Sequence, residues 1–188
     1  MATIEHSTLS TGELHEPKGA PTASAGQVYV ADGSGSGTWT PSDSHIAGYI
    51  AFDATTPAYQ HSTTTSDTAL DPTFTVASSK NFSGATSPNA RLVYVGTETV
   101  YGSLHFVASV KQASGGDRDL EIALFKNGTE LNGTRSIMSI ESGKWGTFAL
   151  NSITSLSTDD YIEVFIKADS AHTTDFAGAK LAIQCFPG

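Results

Sequence analysis

The sequence has little cysteine, little charge and no long apolar run. Its only cysteine, Cys185, cannot form an intrachain disulfide or a cysteine-based zinc site. Charged residues make up 15% of the 188 positions, against roughly 25% in an ordinary domain. The net charge of −9 argues against nucleic-acid binding, which needs a cationic surface to neutralise phosphates. No apolar run approaches the ~20 residues that cross a bilayer, so we expect no membrane contact.

Motifs of catalysis and targeting are also missing. The N-terminus lacks a basic start followed by an apolar stretch, so no secretory signal is expected. No Gly-x-Ser-x-Gly elbow occurs, and the glycine-rich run at 32–38 lacks the Gly-Lys-Ser/Thr of a phosphate loop. No two of the six histidines have a metal-ligand spacing. We therefore expect no enzymatic activity, no cofactor and no metal.

Two features are open to a second interpretation. Asp117, Asp119 and Glu121 alternate and could supply oxygen ligands to a cation, but a solvated strand face explains them as well. Asp159-Asp160 is typical of a turn in which a carboxylate accepts backbone N–H groups. Cys185 is expected to be a small buried apolar residue rather than a nucleophile.

From about Gly48 onward, short segments alternate apolar and polar residues. Such alternation predicts strands with one face on a core and the other in water. The segment Asn127-Gly128 predicts a hairpin turn, because both residues tolerate positive φ. No convincing helix is present, so we predict an all-β fold, an antiparallel sandwich over 48–188. The predicted strands lie near 49–53, 73–77, 91–95, 104–110, 120–124, 136–140, 147–150, 162–166 and 181–185.

Residues 1–47 differ from the rest and predict an extended, mostly irregular N-terminal arm. Large apolar residues are sparse there, prolines interrupt it, and 32–38 is a Gly/Ser segment. Only 27–31 has the pattern of a short strand. The arm is either a disordered tail or a segment that orders on a partner. Leu14, Tyr29 and Trp39 are the candidate anchors, although Trp39 could instead pack on its own sandwich.

The arm resembles N-terminal segments of structural proteins from tailed bacteriophages, chiefly capsid decoration (cement) proteins and head fibres. The segments that carry this likeness are Glu13–Gly19, Ala23–Gly33 and Gly35–Trp39. The later part resembles the jelly-roll domains of that group, which are similar to TNF-like trimeric heads. Its looser motifs are Arg91–Thr97, Leu124–Gly128 and Leu156–Phe165.

The resemblance implies a jelly roll that forms a homotrimer on the outer surface of a capsid, within the virion. It also implies arms that reach neighbouring subunits of the major capsid protein. Tyr101, Phe125, Phe165 and Phe186 lie opposite the main apolar set of their strands. They are candidates for the trimer interface, unless a second layer of the same chain covers them.

Two rival functions remain open. A tail-fibre or receptor-binding tip would use the same fold to recognise a host glycan, with Tyr59, Trp145 and Asp175 as candidate contacts. A carbohydrate-active enzyme would need paired carboxylates across a cleft, and no motif suggests them.

Overall fold

The computed structural model describes residues 23–24, 27–34, 37–41, 46–53, 59–72, 75–79, 81–85, 90–113 and 116–187. The chain divides into two compact units, 1–43 and 44–188, which are treated separately below. All regular elements among the described residues are strands.

The first unit contains a two-stranded antiparallel hairpin, and the second contains thirteen strands among its described residues. The hairpin strands are β1 (Gln27–Ala31) and β2 (Gly37–Pro41). The remaining strands are β3 (Ile46–Asp53), β4 (Tyr59–Thr63), β5 (Thr68–Ala69), β6 (Thr75–Ser79), β7 (Phe82–Ala85), β8 (Arg91–Tyr94), β9 (Val100–Gln112), β10 (Arg118–Lys126), β11 (Thr129–Glu130), β12 (Ser136–Ile140), β13 (Trp145–Leu156), β14 (Tyr161–Ala168) and β15 (His172–Pro187).

The second unit is an antiparallel jelly roll made of two sheets. One sheet has six strands in the order β13-β9-β15-β3-β6, with β4 also paired to β15. The other has seven strands in the order β11-β10-β14-β8-β7, with β12 paired to β10 and β5 paired to β14. The predicted all-β jelly roll is therefore confirmed. Several strands that are not consecutive in the sequence pair with each other, for example β9 with β15. Such pairing is typical of a sandwich whose connections cross between the sheets.

The core lies between the two sheets and follows the predicted alternation. In β9, Leu104, Ala108 and Val110 are 0–1% exposed, whereas His105 between them is exposed. The same alternation buries Leu120, Ile122 and Leu124 in β10, and Ile162, Val164 and Ile166 in β14. Cys185 of β15 is also fully buried, as predicted. Apolar residues at every second position therefore form the core, and β10 and β14 also bury some residues between them, such as Ala123 and Glu163.

Turn chemistry fixes two of the connections. Asn127 (φ 51°) and Gly128 (φ 75°) form the two-residue turn that pairs Lys126 with Thr129, which confirms the predicted hairpin. Asp160 accepts a hydrogen bond from the Ser157 N–H at 2.8 Å and closes the turn before β14, also as predicted.

Candidate interaction surfaces

The outer face of the six-stranded sheet exposes several large apolar side chains. Tyr101 is 55% exposed, Phe186 50%, Trp145 47%, Val107 45% and Ile153 74%. All five point away from the core, because their strand neighbours Leu104, Phe106, Leu150 and Cys185 point into it. These side chains share one sheet face but are spread along it, with Tyr101 beside Phe186 at one end and Trp145 beside Lys111 at the other. Exposed apolar groups on one face make it a candidate interaction surface.

This apolar sheet face also differs in charge from the rest of an acidic chain. Its cationic groups on β9, β13 and β15 are Lys111 and Lys180, and its only carboxylate on these strands belongs to Asp175, which is 5% exposed. Asp175 accepts a hydrogen bond from Gln60 at 2.8 Å and lies 3.6 Å from the Lys111 ammonium. The described part of the face therefore presents no exposed carboxylate on these three strands.

Side chains on the apolar sheet face are held in place by their neighbours. The His105 ring lies 2.8 Å from Asn151 Oδ1 and 3.0 Å from Ser103 Oγ, so it bridges β9 and β13. The Lys111 ammonium lies 5.0 Å from the centre of the Trp145 ring, in cation–π geometry. A surface fixed in this way loses little side-chain entropy when it is covered.

The four predicted interface residues fall into two pairs on different sheets. Tyr101 and Phe186 are opposite each other in the β9–β15 register, at one end of the apolar sheet face. Phe125 and Phe165 lie on the outer face of the seven-stranded sheet, stacked with ring centres 4.1 Å apart. Phe125 is only 8% exposed. The four residues therefore do not form one continuous surface.

An ionic cluster occupies the same outer face of the seven-stranded sheet. The Arg135 guanidinium donates hydrogen bonds to Asp67, Glu121 and Glu130, with N–O distances of 2.5–3.3 Å. Lys167 adds a 3.0 Å ion pair with Glu121. The hydrogen bonds that Arg135 donates to Glu130 and Asp67 raise the pKa of Arg135. The charged side chains of this cluster are therefore paired with one another.

Two of the three predicted arm anchors lie in the β1–β2 hairpin of the first unit. Tyr29 and Trp39 are directly opposite in register, with ring centres 5.4 Å apart in an edge-to-face arrangement. Val28 and Val30 are 46% and 50% exposed on the other hairpin face. Leu14 lies outside the described residues. A two-stranded hairpin is only marginally stable by itself.

The second hairpin strand, β2, was missed by the sequence prediction. The Gly/Ser segment 32–38, which suggested flexibility, supplies the connection and the first two residues of β2, Gly37 and Thr38. The Ser34 N–H donates to Asp32 Oδ1 at 2.8 Å in the connection. A Cβ at Gly37 would lie 2.2 Å from the Val30 carbonyl oxygen, so only glycine fits there.

The three candidate glycan contacts do not converge on one concavity. Trp145 and Asp175 both flank Lys111 on the outer side of the six-stranded sheet. Tyr59 instead packs against the buried Phe176, and its hydroxyl donates to Asp71 and contacts His61. One cavity among the described residues has a volume of about 20 Å³ and is lined by apolar side chains such as Leu70 and Phe106. Such walls offer few partners for the hydrogen bonds of a sugar or a water molecule.

Two of the three candidate cation ligands have other partners. Glu121 pairs with Arg135 and Lys167, and Asp117 accepts the Ser142 N–H at 3.1 Å. Among the residues described, no three His, Cys, Asp or Glu side chains are grouped as metal ligands. Burial raises the pKa of the Cys185 thiol to about 11, which disfavours the nucleophilic thiolate. Within the described part of the chain, no helix has the length and hydropathy of a membrane span.

Comparison with known proteins identifies the fold but no sequence family. The sequence matches no protein-family model and no curated protein. Among solved structures, Eiger TNF from S. frugiperda is similar over 77% of this chain and 95% of that chain, with 11% identity and a TM-score of 0.52. Murine APRIL covers 74% of this chain at 14% identity, with 98% of its own chain matched and a TM-score of 0.47. The PRD1 vertex protein P5 covers 76% at 9% identity, with 97% of its own chain matched and a TM-score of 0.44. The likeness to Eiger shows that residues of the second unit adopt a TNF-like jelly roll.

Proposed function

We propose that this protein is a non-enzymatic structural component of a phage virion, a decoration protein that binds the outer surface of the capsid as a homotrimer. The observation that carries the proposal is the apolar sheet face, with five large exposed side chains and no exposed carboxylate on β9, β13 and β15. The resemblance of the arm to phage capsid-associated proteins supplies the partner, the major capsid protein.

The apolar sheet face suits contact between copies of this chain. Each copy carries a net charge of −9, so two copies repel each other through most of their surfaces. On β9, β13 and β15 the charged groups of this face are Lys111, Lys180 and the buried Asp175, so copies can meet there without bringing exposed carboxylates together. Aromatic enrichment with few charges is also the composition of interface cores.

The hairpin of the first unit suits contact with the capsid. Tyr29 and Trp39 form a paired aromatic unit on one hairpin face, and Val28 and Val30 expose apolar surface on the other. Aromatic side chains dominate interface energetics, so Trp39 is the proposed principal anchor.

Co-sedimentation with undecorated capsids, combined with light scattering of the free protein, tests the proposal. A trimer that saturates capsids at a fixed ratio would support it. A trimer that does not bind capsids would instead favour a function as a tail-fibre tip, with a glycan as its partner. A monomer that ignores capsids would refute both the trimer and the capsid assignment.

Deleting residues 1–47 separates the two proposed roles of the chain. We expect the truncated jelly roll to fold and trimerise but to lose capsid binding, because its own core and apolar sheet face lie in 48–188. Full-strength capsid binding by the truncated chain would contradict the role of the arm.

Replacing Trp39 by alanine tests the anchor with a single change. Loss of an aromatic anchor costs about 2 kcal/mol, so capsid affinity should fall about 30-fold while the trimer persists. Ile137→Ala is the control, because Ile137 is 63% exposed on the seven-stranded sheet and far from the arm in sequence. Equal affinity of Trp39→Ala and the parent chain would remove Trp39 as an anchor.

A further inference from the structure

The chain contains the tripeptide Asn-Gly-Thr twice, at Asn127–Thr129 and at Asn132–Thr134. Both copies lie in turns, and both asparagines are exposed. An asparagine followed by glycine is chemically labile when its side chain can rotate, because glycine has no Cβ to block attack by its backbone nitrogen on the asparagine Cγ. Asn127 follows Lys126 and Asn132 follows Leu131, but the same Gly-Thr pair follows both asparagines. Because the following glycine dominates the intrinsic reactivity, we expect the surroundings of each site to decide which one reacts.

The side chain of Asn127 is held at both of its polar atoms. Its Nδ2 donates to Asp160 Oδ1 at 2.6 Å, and its Oδ1 accepts the Tyr161 N–H at 2.9 Å. Asp160 is itself fixed by Lys126 and by the Ser157 N–H, each at 2.8 Å. Bringing the Asn127 Cγ over the Gly128 nitrogen would break both amide contacts, which raises the barrier to cyclisation.

The surroundings of Asn132 impose no such restraint. Its turn is anchored at both ends, because Leu131 N–H donates to the Leu124 carbonyl at 2.9 Å and Thr134 N–H donates to the Leu131 carbonyl at 3.2 Å. The buried Thr134 hydroxyl also donates to the Leu131 carbonyl at 2.8 Å. Among the hydrogen bonds of the described residues, none involves the side chain of Asn132. Its amide can therefore rotate while the backbone of the turn stays in place.

We propose that Asn132 is a site of spontaneous deamidation in the folded protein and that Asn127 is protected from it. The Gly133 nitrogen attacks the Asn132 Cγ, a C–N bond forms to give a succinimide, and the side-chain nitrogen leaves as ammonia. Water then opens the ring at either carbonyl and yields aspartate or isoaspartate. The product adds one negative charge to a chain whose net charge is −9.

Peptide mapping by mass spectrometry tests this assignment on the full-length protein. The folded chain is incubated in mildly alkaline buffer below its unfolding temperature, beside a sample in denaturant. In the denatured sample both asparagines should convert at similar rates. In the folded sample Asn132 should convert at least about tenfold faster than Asn127, the factor expected from two hydrogen bonds. Similar rates in the folded chain, or faster conversion of Asn127, would overturn the proposal.

Two variants isolate the cause. Gly133→Ala should suppress conversion at Asn132 and leave Asn127 unchanged. Asp160→Ala should accelerate conversion of Asn127 toward its denatured rate, with Asn132 unchanged. An unchanged rate at Asn127 in a folded Asp160→Ala variant would show that the contacts with Asp160 do not protect it. If that variant unfolds, the parent comparison still decides the proposal.

Discussion

Replacing Ile153 by aspartate should dissociate the proposed trimer. Ile153 is 74% exposed in the single chain, on the apolar sheet face. Burying an isoleucine side chain contributes about 2 kcal/mol, so the exposed fraction offers about 1.5 kcal/mol per copy. Three copies then contribute about 4 to 5 kcal/mol, which corresponds to a roughly thousandfold change in the trimer dissociation constant. Burying three carboxylates together would add a further cost.

Light scattering over a dilution series measures this effect directly. Ile153→Asp should be monomeric at concentrations where the parent chain is trimeric, with an unchanged circular dichroism spectrum because Ile153 is outside the core. Ile137→Asp is the matched control, an exposed isoleucine changed in the same way on the seven-stranded sheet. If Ile137→Asp dissociates the trimer and Ile153→Asp does not, the assignment of the interface to the apolar sheet face is wrong. If neither dissociates it, neither isoleucine lies in the interface.

Two further predictions concern stability. Burial lowers the pKa of His61 below its usual 6.5, against an opposing effect of Asp71. The contribution of neutral His61 to folding stability is therefore complete above about pH 6.5 and is lost as the pH falls through the lowered pKa of the folded state. Thermal unfolding at neutral and acidic pH should show this loss, and a His61→Gln variant that loses stability equally steeply would contradict it. Burial alone would raise the pKa of Asp160, but hydrogen bonds from Lys126, Ser157 N–H and Asn127 hold it below its usual range. Asp160→Ala should therefore cost about 2–4 kcal/mol in denaturant unfolding, against under about 0.5 kcal/mol for the exposed Asp119→Ala, and similar values for the two would refute the role of this turn.

The strands that sequence analysis found are those whose buried positions are apolar. The alternation in β9, β10, β14 and β15 follows directly from burial of one face. Sequence analysis did not predict strand β4, because its inward-facing residues His61 and Thr63 are polar. His61 is 7% exposed and Thr63 is 1% exposed. The Thr63 and Thr174 hydroxyls lie 2.8 Å apart, and their hydrogen bond offsets the cost of removing both hydroxyls from water. No periodic pattern of hydrophobicity reveals such a strand.

The candidate interface shows a different limit of prediction from sequence. A strand that is apolar on both faces predicts burial on both, but the sequence does not say which layer covers the second face. For Phe125 and Phe165, part of the answer is their mutual stacking on the sheet that also carries the Arg135 cluster. That cluster joins Arg135 to Asp67, which lies 68 positions earlier in the chain. Contacts over such separations depend on the completed topology, which local patterns do not contain.

The position of β15 constrains when this domain can fold during synthesis. This strand spans His172–Pro187 and pairs with β9, β3 and β4, so it lies inside the six-stranded sheet and holds earlier segments together. The sheet cannot close until these late residues have left the ribosome. Closure of the sheet therefore depends on contacts between distant segments, which form slowly and leave strand edges unpaired until β15 is available. A chain interrupted shortly before residue 172 would lack the centre of the sheet rather than its edge.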